Sequence, residues 1–403
     1  MRVATMNLYN TSMNGILQSQ QQVEKANNQL VTHKKLLQAG DGPADMSEKM
    51  AIDTDINQNA QYKNNGVSLE NTLSFQENIL NSMHDSALRA RVLGVQSGDG
   101  LNGMNERRSM AKELEQIRAQ MADLVNTRDA NGDYVFAGFQ SQIQPYVFDG
   151  QRYHYVGDNG NTRLKIGASV YVQSNTTGKD AFENVSLRRR VKSNSSGIDA
   201  YVNEQKTYDT FYKNNYSDVT PQANTFTVST AAGSGGNPNS YTITNSDGKE
   251  LASGTYEVGK PFLFKGLKIK LTSTPGTTES FTLQKPEKDN ILNILGRFID
   301  VLRDPNVKGQ PYDQAQEDFL VGIDHATEKL NLTMGSIGAR ENGLDSLGNA
   351  QSAINIINKK SRASLGEVDF SKAVTSLSKA ELALNTSYAA YSKISKMTLF
   401  NYI

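Results

Sequence analysis

The chain contains no cysteine in 403 residues, which excludes disulfides, cysteine-ligated zinc and thiolate nucleophiles. It has no net charge either: 42 basic side chains face 42 acidic ones. No global field therefore draws it to nucleic acid or to an acidic membrane surface. No stretch approaches the roughly 18 apolar residues that a membrane span requires. The opening Met1–Asn7 lacks the apolar core and small-residue cleavage site of a secretory leader. If the protein leaves the cell, the expectation is a route without an ordinary cleaved signal. Histidine is scarce and scattered, and His33, His84, His154 and His325 show no metal-ligand spacing.

Several local clusters resemble chemistry and fall short of it. Arg188-Arg189-Arg190 is a short basic run, read as a solvated loop. Asp129–Asp133 opens like a calcium loop, but Tyr134 and Gln140 stand where such a loop needs glycine and glutamate, so the segment reads as a turn. His84-Asp85-Ser86 are neighbours on one helix and point in different directions, which suits a solvated helix surface and not a triad. Asp53 and Asp55 diverge in the same way and read as surface carboxylates. The glycines of Gly94–Gly103 lack the Gly-Lys-Ser/Thr ending of a phosphate loop. No catalytic residue, cofactor-binding residue or metal ligand is expected, and the chain reads as a structural protein and not an enzyme.

What the sequence does have is amphipathic helix at both ends. From Met6 the apolar residues recur at steps of three and four through Tyr9, Met13 and Ile16; polar Gln20, then Val23, polar Asn27 and Leu30 carry the seam onward. Asp41-Gly42-Pro43 should break this helix before a second helical stretch. A further helix is expected from Leu69 to about Leu93, with Ser68 as N-cap, followed by a loop over Gly94–Asn105. Met110, Leu114, Ile117, Met121 and Leu124 form the next seam.

Between Tyr134 and Phe281 the composition shifts to Gly, Ser, Thr, Asn and Tyr in short alternating runs. Tyr241–Thr244 followed by Asn245-Ser246-Asp247-Gly248 predicts a hairpin, and Leu267–Leu271 alternates as a half-buried strand does. The middle is read as one or two small β-rich domains, with Gly233–Asn239 as a flexible surface loop. Helix returns after Asp289, a candidate N-cap for Ile291–Leu295. A long seam then runs through Ile337, Leu344, Leu347, Gln351, Ile354 and Ile357 until Gly366 interrupts it. Asp369 can cap a last helix carrying Phe370, Val374, Leu377, polar Glu381, Leu384, Tyr388, Tyr391 and Ile394.

The two outermost segments, residues 6–37 and 369–399, carry only a narrow apolar stripe among Gln, Asn, Ser and Ala. Burying one Leu or Ile contributes about 1.5–3 kcal/mol, whereas ordering costs about 1–2 kcal/mol per residue of backbone. A hairpin of two such helices is marginal alone. Ala380, Ala383, Ala389 and Ala390 would let further helices approach closely. The expected assembly interface is Met6, Tyr9, Met13, Ile16, Val23, Leu30, Val374, Leu377, Leu384, Tyr388, Tyr391, Ile394 and Leu399.

These ends resemble the flagellin family, and within it the hook-associated branch. Met1-Arg2-Val3-Ala4-Thr5 with Tyr9, Ile16 and Gln20 is similar to the family's start. Thr32-His33-Lys34-Lys35 sits where the family has Thr-Gly-Lys-Arg, and Asp41-Gly42-Pro43 where it has Asp-Asp-Pro. Gly132–Gly138 resembles the Tyr-Ile-Phe-Ala-Gly signature that opens the β-rich part. Phe264–Ile269 with Thr274-Pro275-Gly276 and Phe281 resembles a β motif of hook-associated proteins, with Thr278-Glu279 replacing a Gly-Asp. Ile337-Gly338-Ala339-Arg340 and the terminus Lys393–Ile403 also match; Leu399–Ile403 does not resemble the arginine-closed tail of flagellin, the bulk filament subunit and the rival reading. A rival from another class is a glycan-binding module formed by the middle of the chain.

The resemblance implies an α+β fold: long paired N- and C-terminal helices forming a coiled-coil-like rod, with an inserted β-rich domain. The implied segments are an N-terminal assembly helix (1–42), the two halves of a helical rod (43–135 and 287–365), an inserted β-rich domain (136–286) and a C-terminal assembly helix (366–403). It further implies a structural adaptor joining hook to filament, in contact with the other hook-associated junction protein, with flagellin and with copies of itself. A cytoplasmic export chaperone would bind the C-terminal helix before passage through the flagellar export apparatus to an extracellular position on the flagellum. Neither nucleic acid nor membrane is an expected partner. Gly40–Pro43 and the Gly94–Gly103 loop are the segments expected to tolerate conformational change.

Overall fold

The computed structural model describes residues 2–100, 102–234 and 238–396. Eight α-helices are described: α1 (Arg2–Thr32), α2 (Pro43–Ser97), α3 (Met104–Val125), α4 (Gly178–Ala181), α5 (Gln205–Asn215), α6 (Ile291–Arg303), α7 (Gln310–Gly366) and α8 (Phe370–Lys396). Short antiparallel strands occupy the stretch between α3 and α6, so the fold is α+β. The chain divides into two compact units. One comprises Met1–Glu70, Lys165–Val172 and Asn342–Ile403; the other comprises Asn71–Leu164 and Gln173–Glu341.

The second unit holds most of the buried apolar surface. α3 buries Leu114, Ile117 and Met121 of its expected seam, with Met110 and Leu124 half-buried. α6 is strongly amphipathic: it buries Ile291, Leu292, Ile294, Leu295, Phe298, Ile299 and Leu302 and leaves Asp300 and Arg303 exposed. Phe298 stacks on Phe319 of α7 at 4.3 Å. The α6 N-cap is Asn290, whose side chain accepts from the Asn293 amide at 2.9 Å. Asp289, the expected cap, instead accepts from Arg152, Arg297 and the Asn290 amide, which leaves the capping position to its neighbour.

A five-stranded antiparallel sheet runs in the order Glu250–Tyr256, Asn239–Thr244, Thr225–Ala231, Thr278–Leu283, Val191–Ser193. A three-stranded sheet pairs Pro261–Phe264, Leu267–Leu271 and Ile198–Val202. Their shared core includes Ile198, Phe226, Val228, Ile243, Phe264, Leu267 and Phe281, with Tyr208, Phe211 and Tyr212 from α5. Phe226 and Phe281 are cross-strand partners and stack at 5.4 Å. The Asn245–Gly248 hairpin and the alternating strand Leu267–Leu271 form as the sequence predicts. A two-residue turn, Lys265 at φ 47° and Gly266 at φ 82°, joins Phe264 to Leu267. Position 266 needs glycine twice over, because a Cβ there would also lie 2.5 Å from the Tyr208 amide nitrogen.

Three further expectations need correction. α2 runs without a break from Pro43 to Ser97, so Ser68 lies inside a helix and caps nothing. Gly94 is helical, not the start of a loop: a Cβ there would lie 2.6 Å from the Phe319 ring, so glycine permits α2 and α7 to touch. Ser86 is buried and donates to the Ser82 carbonyl at 2.8 Å. The Asp129–Asp133 turn is as expected, with the Asn131 and Asp133 amides donating to Asp129 Oδ1. Of the expected loop Gly233–Asn239, residues 235–237 lie outside the described residues, and Asn239 already belongs to a strand.

The basic run at 188–190 is not a solvated loop. Arg188 is buried at 5 % exposure and donates to Gln205, Gln314, the Val202 carbonyl, Glu317 and Asp318. Arg190 pairs with Asp318, and Arg189 with Asp209 at 3.0 Å. Buried guanidinium is stable only when its donors are met. Here carboxylates of α7 and amides of α5 and α7 meet them. Burial raises the Glu317 carboxyl above its usual range, and Arg188 opposes that rise.

Candidate assembly interface

Residues 3–23 of α1 carry no charged side chain. α1 and α8 pack on each other and run antiparallel. At one end the Lys35 amide donates to the Gly366 carbonyl at 2.8 Å and the Val368 amide to the His33 carbonyl at 3.1 Å. Toward the other, the hydroxyls of Ser19 and Ser387 lie 3.4 Å apart, and the Tyr9 and Tyr391 rings meet at 5.5 Å. A hydrogen bond to Tyr9 raises the Tyr391 hydroxyl pKa. Asp369 caps α8, accepting from the Lys372 amide at 3.2 Å.

The turn between α1 and α2 is specific. His33 adopts φ 56°, the left-handed region, at the position where the resemblance places glycine. That conformation costs a side-chain-bearing residue about 1–2 kcal/mol. Asp41 accepts from Lys25 Nζ at 2.6 Å and from the Leu37 and Gln38 amides, and these bonds hold its carboxyl down at about 2. Leu36 is buried beneath this turn. Asp53, expected as an ordinary surface carboxylate, pairs with Lys49 at 3.0 Å and lies 3.6 Å from Arg362.

The structure divides the expected interface residues into two sets. Ile16 is buried. Met13, Val23, Leu30, Leu377, Leu384, Tyr391 and Ile394 are half-buried, along the line where α1 and α8 meet. Met6, Tyr9, Val374 and Tyr388 are exposed. Leu399 lies outside the described residues. Phe370, the first residue of the α8 seam, is exposed too; off the seam, Leu8, Leu17, Val31 and Leu382 are exposed as well, Val31 at 70 % and Leu382 at 68 %. The seam pattern did not reveal these four, because a periodicity reading keeps the residues in phase and discards the rest. Two helices in contact bury one stripe each, so apolar residues on other faces stay in water.

The same unit carries a groove of about 500 Å³ lined by Tyr62, Val67, Ile166, Leu344, Leu347 and Ile356, among others. Asn65 donates to the Lys165 carbonyl at 2.7 Å, and Gln351 to the Ile166 carbonyl, which fixes the segment 165–172 beside the groove. Among the described residues no three His, Asp or Glu side chains group as metal ligands. No described helix is long and apolar enough to cross a membrane.

Two family models match the chain: the bacterial flagellin N-terminal helical region over residues 3–141 and the bacterial flagellin C-terminal helical region over residues 320–403. Together they take in more than half of the sequence and leave the β-rich middle outside both. Flagellar hook-associated protein 3 of Escherichia coli K12 is 28 % identical over 185 residues, 46 % of this chain and 58 % of that protein. Its Salmonella typhimurium counterpart aligns with the same identity and coverage. The chain thus spans less than two thirds of the curated relatives it matches. The crystal structure of the flagellar junction protein FlgL from Legionella pneumophila superposes with a TM-score of 0.59 at 21 % identity, covering 79 % of this chain and all of that one. At that identity the likeness speaks for the fold.

Proposed function

This chain belongs to the flagellin family, and we propose that it is a structural adaptor subunit of the bacterial flagellum that joins the hook to the filament. One observation carries the reading: the paired terminal helices bury a thin seam and leave Met6, Leu8, Leu17, Val374 and Leu382 facing outward. Such a pair completes its apolar burial only beside other helices. Similarity to flagellar hook-associated protein 3 supports the junction role over that of bulk filament subunit.

In this account the segments 1–42 and 366–403 make the assembly contacts, 43–135 and 287–365 form the helical portion, and 136–286 is the inserted β-rich domain. The partners are the other hook-associated junction protein on one side, flagellin on the other, and copies of this chain alongside. Before export a cytoplasmic chaperone covers α8, and the subunit leaves through the flagellar export apparatus to its extracellular place. Gly40–Pro43 and the connection between α2 and α3 supply the tolerance that an adaptor between two lattices needs. Deleting the gene tests the proposal: the expected phenotype is hooks without filaments, with flagellin released into the medium. Filaments of normal number and length in the deletion strain would overturn it.

A further inference from the structure

With α1 uncharged from residue 3 to residue 23, the charge of the terminal helix pair sits largely on α8. Lys372, Lys379 and Lys393 are exposed, at steps of seven and fourteen residues. Seven residues are close to two helical turns, so Lys372 and Lys379 share one line along the helix about 10.5 Å apart, with Lys393 about 21 Å further along and about 60° round from Lys372. Lys372 lies 3.6 Å from Asp369. Among the described residues Lys379 and Lys393 form no ion pair.

The first turns of α2 carry a matching line of the opposite sign. Glu48 and Asp55 are also seven apart and exposed. Neither forms an ion pair among the described residues, although the acids beside them do: Asp45 pairs with Lys35 at 2.9 Å and Asp53 with Lys49 at 3.0 Å. Within one chain, then, Lys379, Glu48 and Asp55 are left without an ion pair among the described residues, and Lys372, which pairs with Asp369 at the start of its own helix, keeps its side chain 86 % exposed. Midway between Lys372 and Lys379 stand Thr375 and Ser376; midway between Glu48 and Asp55 stand Ala51 and the half-buried Ile52. Thr375, Ser376 and Ala51 are exposed and short, so the two faces can approach until their charges meet.

We infer that the Lys372–Lys379 face of α8 in one copy docks on the Glu48–Asp55 face of α2 in a second copy of this chain. The inference rests on the proposed assembly of copies through their terminal helices and names the surface that sets their register. The contact is heterologous, with one patch meeting a different patch, so it propagates from copy to copy around a ring or along a helix. Exposed ion pairs are individually weak. Their part here is to select partner and register, while the apolar faces supply affinity.

Because the natural chain has no cysteine, single cysteines can report the contact in full-length protein. Chains carrying Ser376→Cys and chains carrying Ala51→Cys, produced together in cells lacking the native gene, should form a mixed disulfide dimer on oxidation of the isolated flagella. The two positions are central to their faces, so the disulfide forms in either helix direction. Reversing charge with Lys372→Glu and Lys379→Glu should lower both dimer yield and filament number by about tenfold. Adding Glu48→Lys and Asp55→Lys should restore both. Absence of the mixed dimer from flagella with normal filaments would overturn the inference, as would charge reversal without effect or reversal that the second pair fails to rescue. The cysteine readout on native charges decides the matter if the reversed variant misfolds. If cells lacking the gene build filaments anyway, the adaptor reading fails, independently of any disulfide.

Discussion

The unit made of the terminal helices and the other unit bury their apolar side chains on different scales. Among the described residues, the first buries Ile16, Ala26, Leu36, Leu69, Ile166, Leu344, Ala373 and Ala380, three of them alanines. The second buries whole aromatics: Phe136, Tyr146, Phe182, Tyr208, Phe226, Phe281 and Phe298 are all at 2 % exposure or less. The first unit meanwhile holds Phe370, Tyr388, Leu17 and Leu382 in water. The difference is one of destination. The second unit closes its core within one chain, whereas the terminal helices leave apolar area in water that the proposed assembly would cover.

Core truncation gives the largest contrast. Phe281→Ala in the second unit should destabilise the free chain by about 3–5 kcal/mol in urea unfolding. Ile16→Ala should cost about 1–2 kcal/mol, because its surroundings are thin and open to water. Equal costs would break the comparison. Next comes Arg188→Ala, which strips five acceptors of their donor. Removing a buried partner costs about 3–5 kcal/mol; the Glu317 side chain is 44 % exposed, which reduces the expected loss to about 2–3 kcal/mol. A change below about 0.5 kcal/mol would show that this arginine is no more than a surface charge.

The smallest effect is local and depends on pH. Asp41 is lowered from 3.8 to about 2 in the fold, so its stabilising contribution is fully present above the unfolded value. It is lost as pH falls from about 4 through about 2. The protection of the Leu37 and Gln38 amides, measured against their intrinsic exchange rate at each pH, should fall across that window, and Asp41→Asn should remove that change. Protection at these amides that stays constant across the window would sharpen the comparison differently, by assigning the turn to Leu36 burial alone.

How much of this was legible beforehand follows from what each pattern encodes. Period and turn chemistry are local, so the α1 seam, the Asp369 cap, the Asn245–Gly248 hairpin and the Leu267–Leu271 strand were all readable. Ser68 and Gly94 were misread because serine and glycine look like helix ends in isolation; at Gly94 the residue is explained by a ring more than 200 positions away, Phe319. Arg188 was misread for the same reason, since Glu317 and Asp318 are far off in sequence. At the interface the seam identified residues that share one line, and the structure separates the half-buried Leu377 and Leu384 from the exposed Val374 and Tyr388. The left-handed His33 could not be read from propensity at all, because only the family's glycine at that position hints at it.

Amide hydrogen exchange of the full-length chain, free and within isolated flagella, tests the central claim most directly. Residues 6–31 and 370–394 should exchange quickly in the free chain relative to α3 and α6, then slow by about a hundredfold or more on assembly, as outward apolar surface becomes covered. Protection of these two helices in the free chain equal to that of α3 and α6, unchanged on assembly, would contradict the account.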